Sequence, residues 1–210
     1  MASAADLDHP IFTESILRIQ TLLGPTGLPL LEQEVLERLI HSSGDLGLAP
    51  LLRFTPGACT SASRALAQGA VILTDTAMAA AAVAPMAART FSNPVHSVLQ
   101  WAPPLAPEGQ TRAALGMATA LQVHPGAVVL IGSAPTALEL LLDRVAEGYL
   151  APALVIGMPV GFVGVAASKR RLAASGLPQI RLEGSRGGAG LVAASVNALL
   201  RRSWLQASHS

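Results

Sequence analysis

Arg38 and His41 make the strongest case for chemistry in this sequence. They stand three apart in LEQEVLERLIHS, residues 31 to 42, whose apolar spacing is helical, so both fall on one helix face. That face lies away from the centre of the stripe formed by Val35, Leu36, Leu39 and Ile40. An imidazole with an ordinary pKa near ~6.5 gives up or shares a proton close to neutrality. His41 near a helix end, followed by Ser42, Ser43 and Asp45, can be a proton donor reaching into a pocket. A helix C-terminus there would favour its charged form. The same residues also read as an ordinary solvated face, because Glu34 with Arg38 and Glu37 with His41 are i,i+4 pairs. Both readings stand at this level.

The remaining candidates are anion-binding or turn-forming groups. Asp75 ends a strand and begins a helix, which suits an N-cap as well as a direct role in ligand binding. Ser133, before Ala134-Pro135, is placed to cap a helix whose first N–H groups could also receive a ligand carboxylate. Arg112 near a helix start opposes the helix dipole, as an arginine wanted for an anion would, although a surface arginine also fits. Arg186, between glycines, invites the same comparison.

Several chemistries lack their signatures. GMPVGFVG has no GxGxxG spacing, and neither GxxxxGK[ST] nor GxSxG occurs, so dinucleotide, P-loop and Ser-His-Asp chemistry have no support. One cysteine, Cys59, excludes an internal disulfide and a cysteine-based zinc site, and no other metal site is expected. A single thiol fits a reducing cytoplasm. A net charge of +1 and 3% aromatics leave neither a strong field nor a stacking platform, so nucleic acid is disfavoured as a partner. MASAADLDHP lacks the basic and apolar regions of a signal peptide. The most apolar segment, residues 65–88, is interrupted by Gly69, Asp75 and Pro85 and should not span a membrane.

The elements that must position these groups are legible around residues 128–169. Val128 to Ile131 and Ala153 to Ile156 are short, uninterrupted apolar runs, each ending in Gly and a proline-containing turn before a helical pattern. Such runs suit strands buried on both faces, and the strand–turn–helix repetition predicts a parallel sheet. Hydrophobic content of 51% with 13% charged residues fits a sheet covered on both sides. Further strands are expected at Val71–Thr74, Val95–Leu99 and Ile180–Leu182. Helices are expected near residues 12–23, 31–42, 60–68, 75–83, from Glu108 or Gln110 to about Val123, and from Gly184–Gly188 to about Arg202, with a linker through Pro50 and Pro56-Gly57. The expected fold is α/β: one domain over residues 1–210, a three-layer doubly wound parallel sheet of about five strands in flavodoxin-like order. Residues 1–28 form its N-terminal arm and helix, and residues 203–210 a mobile tail. A ligand then belongs outside the carboxyl ends of the strands. Gly157, Met158, Gly161, Gly187 and Gly188 are candidates to line it, since glycine lets backbone approach a large flat ligand. Tight turns and close helix packing explain the same glycines.

RLIHSSGD, LTDTAMAAAAV, QTRAAL, IGSAPTALELLL, GMPVGFVGVAASK and GGAGLVAASVNALL occur in the order found in the precorrin-8X methylmutases of cobalamin biosynthesis. The chain resembles that family from about His9 to Leu200. The resemblance implies a flavodoxin-like, homodimeric isomerase without a separate cofactor. Its reaction moves a methyl group from C-11 to C-12 of a tetrapyrrole by a [1,5]-sigmatropic shift, giving hydrogenobyrinate or, with cobalt in the substrate, cobyrinate. It also implies that His41 is catalytic and that Ser15, Arg38 and Arg112 contact substrate. The family's usual aromatic after the arm serine is Ile16 here, Gln20-Thr21-Leu22 stands where an acidic residue is frequent, and Ser133 replaces a frequent Asn. The alternatives are a non-catalytic tetrapyrrole carrier on the same scaffold and a nucleotide-binding α/β enzyme.

Overall fold

The computed structural model describes residues 7–208; residues 1–6 of the expected arm and 209–210 of the expected tail lie outside it. In chain order its elements are α1 (Pro10–Leu23), α2 (Leu30–Ser43), β1 (Leu52–Phe54), α3 (Ala58–Ala67), β2 (Ile72–Thr74), α4 (Ala77–Arg89) and β3 (Val95–Ser97). They continue with α5 (Arg112–Val123), β4 (Val128–Ile131), α6 (Pro135–Ala146), β5 (Leu154–Gly157), α7 (Val165–Ala174), β6 (Gln179–Leu182) and α8 (Ala189–Ser208).

The strands form one six-stranded sheet in the order β1-β6-β5-β4-β2-β3. The five from β2 to β6 run parallel, and β1 pairs antiparallel with β6, matching Leu52 with Leu182 and Phe54 with Ile180. The sheet is therefore mixed and has six strands, where a parallel sheet of about five was expected. The additional strand lies in the segment read as a linker. Three residues between Pro50 and Pro56 carry too little pattern to register as a strand, and only the free edge of β6 makes them one.

Alternation along each strand builds the core. Ile72, Val128, Leu130, Leu154, Ile156 and Ile180 face α3, α4 and α8, while Leu73, Val129, Ile131 and Val155 face α5, α6 and α7. Burial on both faces is the reason these strands read as unbroken apolar runs. Beyond α8 lies a further layer: α2 packs on α8, with Val35 and Leu39 wholly buried against a cluster that includes Val192, Val196 and Leu199. Gly44 stops α2 in the left-handed conformation, at φ 67° and ψ 16°.

Some helix limits differ from expectation. α4 continues through Pro85 to Arg89, because Met86 and Ala87 extend its buried stripe and packing there outweighs the missing N–H. α5 begins at Arg112, where Thr111 Oγ1 caps the N–H of Ala114 at 3.2 Å. α8 continues to Ser208, so residues 203–208 of the expected mobile tail are helical; Ser203 is buried and Trp204 packs edge-on to Phe91.

At the carboxyl ends of the strands the turns are tied together by backbone. Met158 N–H donates to Ile131 O at 2.9 Å, Val160 N–H to Gly132 O at 3.1 Å, Gly161 N–H to Ser185 O at 3.1 Å and Gly188 N–H to Met158 O at 2.9 Å. Lys169 on α7 is 3% exposed and donates to the carbonyls of Gly184 at 2.8 Å and Arg186 at 2.6 Å. Burial pushes its ammonium down to about 8. A Cβ on Gly187 would stand 1.9 Å from the carbonyl oxygen of Met158, so the two turns meet only because that residue is glycine.

Gly187→Ala should lower stability by about 1–3 kcal/mol in chemical denaturation, because neither backbone can give way. Lys169 yields a pH signature of definite sign. Between its folded value near 8 and the ordinary 10.5 the unfolded chain binds more protons, so stability should rise with pH across that window. Denaturation midpoints measured at pH 8 and pH 10 should show this rise in the wild type and its absence in Lys169→Met.

Candidate functional site

The end of α2 that carries His41 reaches the carboxyl side of the sheet. β1 starts opposite the end of β6, and Glu183 N–H donates to Leu51 O at 3.0 Å, which places the α2–β1 connection at that side. Asp45, four residues after His41, pairs with Arg186 of the β6–α8 turn at 3.0 Å. Arg186 is thereby committed to a protein carboxylate rather than awaiting an anion.

Around His41 the structure assembles residues from three helices. Ser15 Oγ of α1 lies 2.7 Å from His41 Nδ1, which leaves Nε2 as the free ring nitrogen. Phe12, one turn before Ile16 on α1, meets the imidazole edge-on at 5.1 Å between centroids. The Arg38 guanidinium lies 4.6 Å from the centre of the Phe12 ring, and that of Arg201 on α8 lies 5.5 Å from it. Burial, aided by Arg38, pushes His41 below the usual histidine value. The charged form expected at a helix C-terminus is therefore disfavoured; desolvation and a neighbouring cation outweigh the helix dipole.

The acidic residues of α2 do not form the solvated face that their spacing allows. Glu34 accepts from both Arg201 and Arg202 at 3.2 Å, and burial outweighs these arginines in pushing its carboxyl up. Glu37, 3% exposed, accepts from Gln20 at 2.9 Å and Gln33 at 2.8 Å. Asp8 grips Arg201 through two bonds, one of them 2.7 Å from Nε. Arg38 is half-buried, and no carboxylate lies within 4.0 Å of it among the described residues. An exposed i,i+4 pair would have engaged it, so the free guanidinium results from tertiary packing. Neither Phe12 nor Arg201 stood out in the sequence. Phe12 reads only as an apolar helical position, and nothing local predicts that α8 returns to α1.

A cavity of about 240 Å³ opens between α1, α2 and α8, lined by Phe12, Ile16, Leu30, Arg38 and Arg201 among others. It lies beside the His41 cluster, not in the crevice between β2 and β4 where the strand order reverses. That crevice is occupied by the protein itself. Asp75 is wholly buried, and its Oδ2 accepts from the N–H groups of Gly132, Ser133 and Ala134 at 3.1, 2.6 and 2.8 Å. Burial pushes its carboxyl up against those three bonds.

Asp75 is thus neither the cap of its own helix nor open to a ligand. Thr76 caps α4, and Asp75 occupies the N–H groups of the β4–α6 turn, which are thereby closed to a ligand carboxylate. The exposed Ser133 caps nothing, since Ala134 holds the cap position of α6.

The other expected contacts divide. A Cβ on Gly157 would come 2.3 Å from Leu172, and Met158 is wholly buried, so Gly157, Met158 and Gly187 serve packing. Gly161 and Gly188 take φ of 130° and 129°, which turns need and side chains resist. Arg112 is exposed, and its Nε donates to Pro103 O at 2.9 Å. The rim at this end is apolar: Met78 is 70% exposed, Leu105 84%, Phe162 95% and Val163 88%. No helix among the described residues is long and apolar enough to cross a membrane. No group of three or more His, Cys, Asp or Glu side chains is arranged to hold a metal ion among them.

Comparison with known proteins places this arrangement. The family model for precorrin-8X methylmutase matches residues 10–202. A cobalt-precorrin-8 methylmutase from Synechocystis is 38% identical, with 94% of this chain and 97% of that protein covered. A precorrin-8X methylmutase from Pseudomonas aeruginosa is 41% identical, with 90% and 93% covered. The crystal structure of precorrin-8X methylmutase from Thermus thermophilus superposes with a TM-score of 0.84 at 38% identity, covering 93% of this chain and 98% of that one. This chain belongs to the precorrin-8X methylmutase family.

Proposed function

We propose that this protein is an isomerase of corrin biosynthesis that moves a methyl group from C-11 to C-12 of precorrin-8X, or of cobalt-precorrin-8. The bond from the migrating methyl to C-11 breaks as the bond to C-12 forms, within one conjugated system, giving hydrogenobyrinate or cobyrinate. Such a shift asks the protein to hold the macrocycle in one tautomer and conformation. Tetrapyrrole carboxylates supply the handles, and Arg38 is a half-buried cation with no carboxylate within 4.0 Å among the described residues.

His41 supplies the proton-bearing contact. Its lowered pKa keeps the imidazole neutral near pH 7. In this reading the Ser15 hydroxyl donates to Nδ1, the single ring proton sits on Nε2, and Nε2–H donates to a ring nitrogen of the substrate. Ser15 then acts on the histidine rather than on the tetrapyrrole. The Ser15–His41 contact of 2.7 Å is the observation that carries this mechanism. Arg112 and the backbone of Gly161 and Gly188 remain proposed contacts at the rim.

The chain is proposed to act as one domain, flavodoxin-like in fold, because β2 to β6 lie in the order second, first, third, fourth, fifth. It is further proposed to be a cytoplasmic homodimer that takes a tetrapyrrole, not nucleic acid, as its ligand. Two features support a dimer. The cavity of about 240 Å³ is below the ~300–1,000 Å³ that encloses a drug-sized ligand, so one chain accepts only part of a macrocycle. The apolar rim of Met78, Leu105, Phe162 and Val163 is suited to burial on a second copy. A light-scattering mass of one chain at assay concentrations would contradict this.

His41→Ala should lower kcat by about 10²-fold or more while tetrapyrrole binding, followed by absorbance, survives. Loss of binding together with the fold would make His41 structural. The neutral imidazole is the active form, so kcat/KM should hold above its pKa and fall as the pH drops through it. That acid limb should lie below 6.5. Arg38→Met removes a cation that lowers the value, so the limb, and the His41 titration followed by NMR, should move to higher pH.

A further inference from the structure

We infer that Phe12 is the positioning residue that keeps the donors of Arg38 free for an acidic group of the substrate. The inference rests on the methylmutase reading and adds to it a residue that does not touch the reacting atoms. Arg38 places its guanidinium 4.6 Å from the Phe12 centroid. An aromatic face stabilises a cation through its quadrupole and takes none of the five guanidinium N–H donors. A carboxylate would do the reverse, since the usual fork contact occupies two donors at once.

Such carboxylates are close by. Asp8, Glu34 and Glu37 line the same cavity as Arg38, yet each is engaged elsewhere, by Arg201, by Arg201 with Arg202, and by Gln20 with Gln33. Arg201, which holds two of those acids, is the second cation on the Phe12 ring at 5.5 Å. The ring therefore joins the free guanidinium, the guanidinium that neutralises its acidic neighbours, and the edge of His41 at 5.1 Å. Without a π face Arg38 loses the contact that competes with those acids, and its fork can turn inward.

Phe12→Leu keeps apolar bulk and removes the face, whereas Phe12→Tyr keeps the face. Turnover is measured with precorrin-8X, and equilibrium binding is titrated by absorbance with hydrogenobyrinate. Phe12→Leu should raise KM and the hydrogenobyrinate Kd about tenfold, with kcat within about twofold of wild type. Phe12→Tyr should restore both, and Phe12→Leu should add nothing to an Arg38→Met chain. Unchanged KM and Kd in a folded Phe12→Leu protein, or an equal rise in the Arg38→Met background, would overturn the inference. Should Phe12→Leu fail to fold by circular dichroism, Phe12→Met carries the same test. A wild-type chain that binds hydrogenobyrinate without turning over precorrin-8X refutes the methylmutase reading, and the titrations still decide the role of Phe12. A chain that binds neither overturns both.

Discussion

The packing of α2 onto α8 is the constraint on which the site depends. Val35 and Leu39 are wholly buried, Leu36 and Ile40 nearly so, in the cluster that holds Val192, Val196 and Leu199. Burial of each such side chain contributes roughly 1.5–3 kcal/mol. This seam fixes both the depth and the rotation of a helix whose main packing partner is α8. With the stripe held, residues 38 and 41 face α1, where Phe12 and Ser15 meet them.

The electrostatics of the cluster follow from that placement. Burial takes His41 and Arg38 partly out of water and lowers both pKa values, and each feels a further nearby cation. Arg201 and Arg202 together with two glutamines answer Asp8, Glu34 and Glu37, so these carboxylates do not collapse onto Arg38. What remains is an imidazole of lowered pKa with Nδ1 held by Ser15, beside a cation stacked on the face of Phe12. An acidic, nitrogen-rich macrocycle complements both groups.

At the sheet, rigidity comes from using turn groups against one another. Asp75 closes the β2–β4 crevice by accepting three N–H bonds from the β4–α6 turn, and Lys169 holds the β6–α8 turn by two carbonyls. Groups that would bind ligand in other doubly wound folds are here internal fasteners. The proposed ligand face accordingly lies further out, at the apolar rim and the end of α2.

The amphipathic stripe of α2, the apolar runs of β4 and β5 and the Gly stop at 44 are local patterns, and these were legible from spacing alone. The ordered motifs from RLIHSSGD to GGAGLVAASVNALL were likewise enough to indicate the family and to single out His41 and Arg38. Local pattern could not place Phe12 or Arg201 beside them, because residues 12, 38 and 201 meet only after α8 has crossed the sheet and α1 has folded over it. Nor could it separate a helix cap from a long-range fastener: Asp75 looks the same in sequence whether it binds the next helix or a turn 57 residues away. Likewise β1 exists because β6 offers it an edge, and the pKa of His41 is lowered because partial burial and the Arg38 cation both oppose its charged form. Sequence sets which groups have an apolar side and which can carry charge. Which charge survives burial, and which donor stays free, depends on neighbours that only the tertiary fold supplies.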